Sequence, residues 1–166
     1  MKRPALLLIL ILFLLSGACK KDNHQQVVNG ISTKKDFTAW NTTNVHTGFK
    51  PLATKDTLFI VGQNGEEDIV IAIKQKGTGI YQPDEFKAYF YTAVGDAVLS
   101  KYQLANDPAN TITITNYDET TGVLKGTFNL VFKSTYKYNN SYPDEITFTN
   151  GEINTQLSDV YIDPFR

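Results

Sequence analysis

The stretch from Thr111 to Phe132 limits the fold of this chain more than any other part of the sequence. Apolar residues occupy alternating positions in both of its halves: Ile112 and Ile114, then Leu124, Phe128, Leu130 and Phe132. Such period-two alternation is typical of half-buried antiparallel strands. The segment Asp118–Gly122 between the halves is polar and ends in glycine, which favours a type I turn closed by a left-handed residue. The stretch therefore predicts a β-hairpin within an all-β domain.

Other segments repeat this pattern of short, β-rich runs separated by turns. We expect strands at Phe37–Trp40, Thr57–Gly62, Asp68–Lys74, Phe86–Thr92 and Glu145–Leu157, with weaker candidates at Asn44–Leu52 and Val94–Ala105. The Asn64-Gly65 pair lies between two of these runs and predicts a hairpin. Beyond the first 18 residues no long stretch has helical periodicity. We predict a single antiparallel β-sandwich or flattened barrel of roughly 8 strands, built from hairpins.

The parity of the strands predicts which side chains point inward. The inward set is Ile69, Ile71, Ile73, Phe86, Phe90, Ile112, Ile114, Phe128, Leu130, Phe132, Ile146 and Phe148. Side chains of this size fill the space between sheets packed about 10 Å apart. In the last strand the apolar parity changes between Phe148 and Ile153, which predicts a β-bulge at Asn150-Gly151 with Gly151 in a left-handed conformation.

The N-terminus has the features of an export signal. Lys2 and Arg3 precede an apolar run that is too short to span a bilayer, and small residues follow it. The segment Leu15–Cys19 resembles the lipobox of bacterial lipoproteins, in which the cysteine thiol takes up diacylglycerol. Cys19 is the only cysteine in the chain, and the alternative is an ordinary cleaved signal followed by a free thiol. We predict a signal peptide at 1–18, a lipidated Cys19 with a flexible tether at 19–32, and one β-domain at 33–166.

Charge and composition argue against nucleic-acid binding. Without residues 1–18 the chain has 14 Lys+Arg against 17 Asp+Glu, a formal charge of −3, and Arg166 is then its only arginine. Nucleic-acid-binding domains usually cluster Lys and Arg on one face. We therefore expect no nucleic-acid partner. The predicted contact with the membrane is through lipid on Cys19.

No residue pattern in the sequence indicates catalysis. His24 falls in the tether, and His46 stands alone near a weak strand. No nucleophile motif, phosphate-binding glycine loop or Cys/His metal spacing occurs. The acidic groups at Glu66–Asp68, Asp84-Glu85, Asp118-Glu119 and Asp144-Glu145 are expected to be solvated at turns. We assign no catalytic residue, metal or cofactor and expect a protein that is not an enzyme.

Aromatic residues are the best candidates for a binding surface. Tyr89, Tyr91 and Trp40, with Tyr136, Tyr138 and Tyr142, could form a face that stacks on sugars or contacts a protein. The alternative is that they pack between strands, as aromatic residues in β-proteins usually do. Tyr89 and Tyr91 have the opposite parity to Phe86 and Phe90, so we expect them to be exposed.

Several strand-and-turn motifs carry a resemblance to a family. Gly77–Tyr81, Gly122–Phe128 and Ile146–Ile153 resemble segments of small Bacteroidetes lipoproteins that carry a domain of unknown function, and Phe37–Trp40 looks like the opening strand of that family. The resemblance implies an exported β-domain of the outer membrane, on its periplasmic or surface-exposed face, and implies no activity. Two functions remain open: a non-catalytic binding or structural module with a protein or glycan partner, and a lipocalin-like carrier of a small apolar ligand.

Overall fold

The computed structural model describes residues 29–49 and 57–158, and every regular element in this part of the chain is a β-strand. In chain order the strands are β1 (Gly30–Lys35), β2 (Thr38–Thr42), β3 (Asn44–Phe49), β4 (Thr57–Asn64), β5 (Glu67–Lys74), β6 (Gly79–Tyr81), β7 (Phe86–Val94), β8 (Ala97–Leu104), β9 (Thr111–Tyr117), β10 (Val123–Lys137) and β11 (Glu145–Gln156). The predicted all-β class is confirmed. The strand number is eleven, because the chain contains short strands that the sequence pattern did not separate.

The fold is one antiparallel sheet organised on the long strand β10. The sheet runs β2-β1-β11-β10-β8-β7-β5-β4-β3. One edge of β10 pairs with β11, whereas the other edge pairs first with β9 and then with β8. The short β6 extends the sheet beyond β9. The sheet folds over on itself into a sandwich-like shape and is not closed into a barrel.

Side chains join the two ends of the sheet. The Thr42 hydroxyl donates to the Gln63 carbonyl, and the buried hydroxyls of Thr47 and Thr155 lie 2.9 Å apart. Near one end, Glu67 accepts hydrogen bonds from the Lys35 ammonium and, at 2.7 Å, from Trp40 Nε1. These contacts connect β1, β2 and β11 with β3, β4 and β5, and so enclose the core.

All twelve side chains predicted to point inward are buried. At the centre, the Phe90 ring lies 5.3 Å from the Phe148 ring, and the Phe132 and Phe148 rings lie 5.7 Å apart in an edge-to-face arrangement. Tyr102 from β8 adds a further ring to this cluster, 5.8 Å from Phe90. Aromatic contacts at these separations add packing energy to the burial of apolar surface.

The N-terminal part of the domain differs from the prediction. Phe37 does not open a strand: Asp36 and Phe37 form the turn between β1 and β2, with φ of 48° and 69°, and Phe37 is 93% exposed. The first strand begins at Gly30, inside the segment predicted to be a tether, and buries Ile31. One apolar residue in a polar run gives too weak an alternation to indicate a strand.

The predicted turns are confirmed where glycine allows a left-handed backbone. Gly65 (φ 63°) lies in the β4–β5 turn, and Gly122 (φ 71°) closes the β9–β10 turn. The Asp118 carboxylate accepts from the backbone N–H of Thr120 and Thr121, which completes that turn. The two weaker strand candidates both contain strands. Val94–Ala105 contains β8, and the described part of Asn44–Leu52 forms β3, with residues 50–52 outside the described range.

The bulge in β11 is confirmed, but its left-handed residue is not Gly151. The register shifts between Phe128 and Leu130 of β10, and Asn150 takes the positive φ of 53°. The Asn129 side chain accepts from the Asn150 N–H at 2.9 Å. Gly151 serves another purpose, because a Cβ there would lie 2.5 Å from the Phe128 ring. Asn tolerates the left-handed region better than most residues, which explains the exchange of roles.

Candidate functional site

The two tyrosines predicted to be exposed lie on the outer face of β7. Tyr89 and Tyr91 are half-buried, whereas Phe86, Ala88 and Phe90, which alternate with them, are buried in the core. The parity predicted for this strand is therefore correct. Because β7 is paired with β5 on one side and β8 on the other, the two tyrosine side chains lie in the middle of a continuous sheet surface.

The neighbouring strand β8 adds polar side chains to this surface. Lys101 is directly opposite Tyr91, and Gln103 is directly opposite Tyr89. Both are exposed. Directly opposed residues of an antiparallel pair share a face and have Cβ atoms roughly 4.5–5.5 Å apart. The ammonium and the amide are therefore adjacent to the two tyrosine rings.

A second bulge brings Tyr136 of β10 to the same face. The register of β10 against β8 shifts between Ser134 and Tyr136, so that Tyr136 is opposite Lys101. The Thr135 hydroxyl donates to the Lys101 carbonyl at 3.1 Å and holds the bulge. Without it, Tyr136 would share the inward parity of Phe132. We call Tyr89, Tyr91, Lys101, Gln103 and Tyr136 the tyrosine face.

The tyrosine face contains one charged residue, Lys101, and both lysines and carboxylates border it, including Glu145 opposite Lys133. Lys87, Lys101 and Lys133 belong to the outer surface of β7, β8 and β10, and none of them forms an ion pair within residues 29–49 and 57–158. The ion pairs of the described chain involve other lysines, namely Lys35, Lys76 and Lys137. An exposed ammonium beside a tyrosine ring can bind an anionic or hydroxylated ligand without first breaking a salt bridge.

A buried carboxylate supports one edge of the face. Asp68 of β5 is opposite Tyr91 and is buried. Burial, the charge of Asp68 and a hydrogen bond with it raise the pKa of Tyr91 to about 12. The Tyr91 hydroxyl is protonated at physiological pH, and its hydrogen bond is made with the Asp68 carboxylate.

A cleft of about 510 Å³ adjoins Tyr89. Phe59, Ala72 and Tyr89 line it, together with the charged residues Lys74, Asp84, Glu85 and Lys87. Ala72 lies between Phe59 and Lys87 in the cross-strand row, and its small side chain leaves room above the sheet. The volume lies within the range of small-molecule sites, which is roughly 300–1,000 Å³.

Trp40, the third predicted binding residue, is not on this surface. It is 2% exposed, its ring packs edge-on against Phe148 at 5.8 Å, and its Nε1 donates to Glu67. Trp40 is a core residue because the β1–β2 hairpin turns it inward. The acidic triplet is also only partly as expected: Glu66 is exposed, but Glu67 binds Trp40 and Asp68 is buried.

The other acidic and histidine residues behave as surface groups. His46 is exposed on β3. A hydrogen bond from Lys76, with one from the Gln82 N–H, holds the pKa of Glu85 below its ordinary value, and hydrogen bonds from Thr121 and Thr120 do the same for the pKa of Asp118. In the described chain no three His, Cys, Asp or Glu side chains come together as a metal site. Cys19 and His24 lie outside the described residues.

Fold and surface define a small all-β domain with one folded antiparallel sheet and an outward aromatic face. A domain of unknown function, DUF6252, matches residues 29–155, so the chain belongs to the DUF6252 family. Neither the curated proteins nor the solved structures returned a match. Among the described residues, no helix is long and apolar enough to cross a lipid bilayer.

Proposed function

We propose that this chain is an exported, lipid-anchored and non-catalytic module of the outer membrane that binds a saccharide chain on the tyrosine face. The observation that carries the proposal is the row Tyr91–Lys101–Tyr136 on three adjacent strands. Strand spacing puts the two tyrosines about 10 Å apart with a cation between them. Pyranose rings pack their C–H faces on aromatic rings, while ammonium, amide and phenol groups donate to hydroxyl or carboxylate oxygens.

The position of the face in the sheet favours a saccharide over a peptide. Extended peptides often bind by adding a strand to a free sheet edge, where main-chain groups are available. Both edges of β7 and of β8 are already paired within the sheet. Ligands at the tyrosine face must therefore be recognised by side chains alone, which suits the ring faces and hydroxyls of sugars.

The location of the module rests on the N-terminal sequence. The apolar run followed by Ser16-Gly17-Ala18-Cys19 resembles a lipoprotein signal, and Cys19 would carry the lipid. Strand β1 begins at Gly30, so about ten residues of sequence separate Cys19 from the sheet. In Bacteroidetes lipoproteins an acidic cluster after the lipidated cysteine resembles a signal for export to the cell surface. Lys20-Lys21-Asp22 contains only one acidic residue, so the proposal includes both the periplasmic and the surface-exposed face of the outer membrane.

The packing of the core argues for an outer site and against the carrier alternative. The rings of Phe90, Phe132, Phe148 and Tyr102 contact one another across the centre of the fold. A carrier needs an interior cavity of several hundred Å³ in that place. At the end of the core, the Lys35 ammonium lies 5.3 Å from the Phe90 ring centre and is bound by Glu67.

The proposal is tested by measuring binding of the purified lipidated protein in detergent to dextran, polygalacturonate and a fatty acid. We expect one of the polysaccharides to bind, and the Tyr136→Ala variant to bind it at least about tenfold more weakly. Lys101→Gln should weaken polygalacturonate binding selectively. Lys125→Ala, on an exposed position of β10 outside the face, is the matched control and should bind normally.

Two results would contradict the proposal. Polysaccharide binding that is equal in wild type, Tyr136→Ala and Lys101→Gln would remove the tyrosine face from the interaction. Fatty-acid binding that shifts the NMR signals of Phe132 and Phe148, with no polysaccharide bound, would favour the carrier.

A further inference from the structure

Four chain connections lie at the same end of the sheet. They are Asp36-Phe37, Gly65-Glu66, Gly95-Asp96 and residues 138–144. Backbone hydrogen bonds tie three of them to neighbouring strands: the Ala93 N–H donates to the Glu66 carbonyl, the Tyr138 N–H to the Leu99 carbonyl, and the Asp36 N–H to the Thr147 carbonyl. We call these four connections the turn end.

Large apolar side chains are concentrated at the turn end. Phe37 is 93% exposed and Tyr138 is 70% exposed, and Val94 and Val98 beside the β7–β8 turn are also exposed. In the described chain the other exposed large hydrophobic residues are Tyr136, on the tyrosine face, and Ile80, on β6. Exposed apolar groups gathered on one part of a surface mark an interaction site more often than scattered ones do.

Phe37 is held in a conformation that does not favour it. Asp36 and Phe37 both have positive φ, which is the geometry of a type I′ hairpin turn, where Asn-Gly is strongly preferred. Phenylalanine at φ 69° stores strain, and its exposed ring obtains no packing energy in return. A residue that costs stability and is presented to solvent on a hydrogen-bonded turn has the properties of a binding residue.

The charge of the turn end favours a protein partner over a lipid membrane. The connections contain Asp36, Glu66, Asp96 and Asp144 and no lysine or arginine. Asp144 pairs with Lys137, whereas the other three carboxylates form no ion pair in the described part of the chain. Anionic membranes attract segments rich in Lys and Arg and repel carboxylates. In addition, β1 enters the sheet at the opposite end, at Gly30, and runs roughly 17 Å towards the turn end.

We propose that the turn end is a docking surface for a protein whose apolar pockets are bordered by lysine or arginine residues, with Phe37 and Tyr138 as the inserted side chains. This surface is separate from the tyrosine face and does not depend on saccharide binding. Rigid aromatic residues on turns at one end of a β-fold supply contact area at low entropic cost.

The experiment places a photo-crosslinking phenylalanine analogue at position 37, 138 or 80 of the full-length chain in its native membrane. Ile80 is the matched control, because it is exposed and apolar but lies on β6, away from the turn end. We expect positions 37 and 138 to crosslink to the same protein, and position 80 to give at least about tenfold less of that adduct. Replacing Glu66 and Asp96 by lysine should remove the adduct.

The variant Phe37→Gly separates docking from folding. Glycine relieves the backbone strain at φ 69°, so the purified variant should have a Tm equal to or above that of the wild type. An excess of purified wild-type protein should compete with the crosslink at position 138, whereas Phe37→Gly should not. The proposal is overturned by adducts to lipid alone, by equal adduct yields at positions 37 and 80, or by full competition from Phe37→Gly.

Discussion

Single backbone irregularities determine which side chains reach the two surfaces of the sheet. The bulge at Thr135 turns Tyr136 from the core to the tyrosine face, and the bulge at Asn150 returns Ile153 to the core after Phe148. Each inserts one residue into a period-two pattern, so every later side chain changes face. Residue-level changes at these points are therefore expected to have large effects.

We expect Gly151→Ala to lower the free energy of unfolding by about 1–3 kcal/mol, through overpacking against the Phe128 ring. The cause is steric and not the left-handed strain expected from the sequence, since Asn150 has the positive φ. Asn150→Gly is the control and should change stability by less than about 1 kcal/mol, because glycine accepts that φ. Urea denaturation measures both. A larger loss in Asn150→Gly than in Gly151→Ala would contradict this assignment.

Tyr91 should ionise only near pH 12. Its pKa in the folded state is raised above the ordinary value of 10.0, so its contribution to stability is fully present below pH 10 and is lost as the pH rises from 10 to 12. Asp68→Asn should lower the pKa of Tyr91, but not to the ordinary value of 10.0, because burial is the largest cause of the raised pKa. Ring ¹³C NMR titration measures the change. An unchanged pKa would show that Asp68 does not act on this hydroxyl.

In the connections between strands, a few side chains make the hydrogen bonds that backbone groups make within the sheet. Asn110, at the end of the β8–β9 loop and 1% exposed, donates from Nδ2 to the Ala105 carbonyl and accepts from the Val131 N–H at 2.7 Å. It fixes the loop to β10 close to the point where the partner of β10 changes from β9 to β8.

Asn110→Ala should destabilise the protein by about 1–3 kcal/mol, because it leaves the buried Val131 N–H without an acceptor. The Ala105 carbonyl also loses one of its hydrogen bonds but keeps the one from the Asp107 N–H. Asn106→Ala, at an exposed position of the same loop, should change stability by less than about 0.5 kcal/mol. Thermal and urea unfolding report the difference. Equal effects in the two variants would show that the Asn110 hydrogen bonds do not hold the loop.

The Glu67 contacts can be followed with the only tryptophan of the chain. Glu67→Ala should cost about 1–3 kcal/mol, because it leaves Trp40 Nε1 and the Lys35 ammonium without their acceptor. Trp40 emission should shift to longer wavelength as the end of the core opens to water. Glu66→Ala, one residue away and exposed, is the control. Unchanged Trp40 emission in Glu67→Ala would show that the Glu67 hydrogen bonds do not keep water from this end of the core.

The elements with strong local signals could be predicted from sequence. The hairpins at Asn64-Gly65 and Asp118–Gly122, and the burial of alternating residues in β5, β7, β9 and β10, follow from turn chemistry and period-two patterns. The turn at Asp36-Phe37 could not, because phenylalanine rarely adopts positive φ and no glycine follows Asp36. The parity of Tyr89 and Tyr91 was predictable, but their meeting with Tyr136 depends on non-local register and a bulge.

At the scale of the whole molecule, the predicted lipidation of Cys19 needs an experiment of its own. We expect the mature protein to begin at Cys19 and to carry several acyl chains, because a single chain anchors only marginally. Intact-mass measurement of membrane-extracted protein reads both the start site and the added mass, and Cys19→Ser should release the protein from the membrane. An unmodified thiol, or a mature chain that starts elsewhere, would contradict the lipoprotein assignment.

The pairing of β1 with β11 has a consequence for the order in which this chain can fold. Gly30 of β1 pairs with Asn154 of β11. One of the two strands that pair with β1 is therefore synthesised only after almost all of the domain. The β9–β10 and β10–β11 hairpins can form from nearby residues, and this C-terminal part is expected to nucleate folding. The strand closest to the N-terminus, β1, is therefore expected to be the last to dock, with folding on the millisecond-to-second scale of β-rich domains.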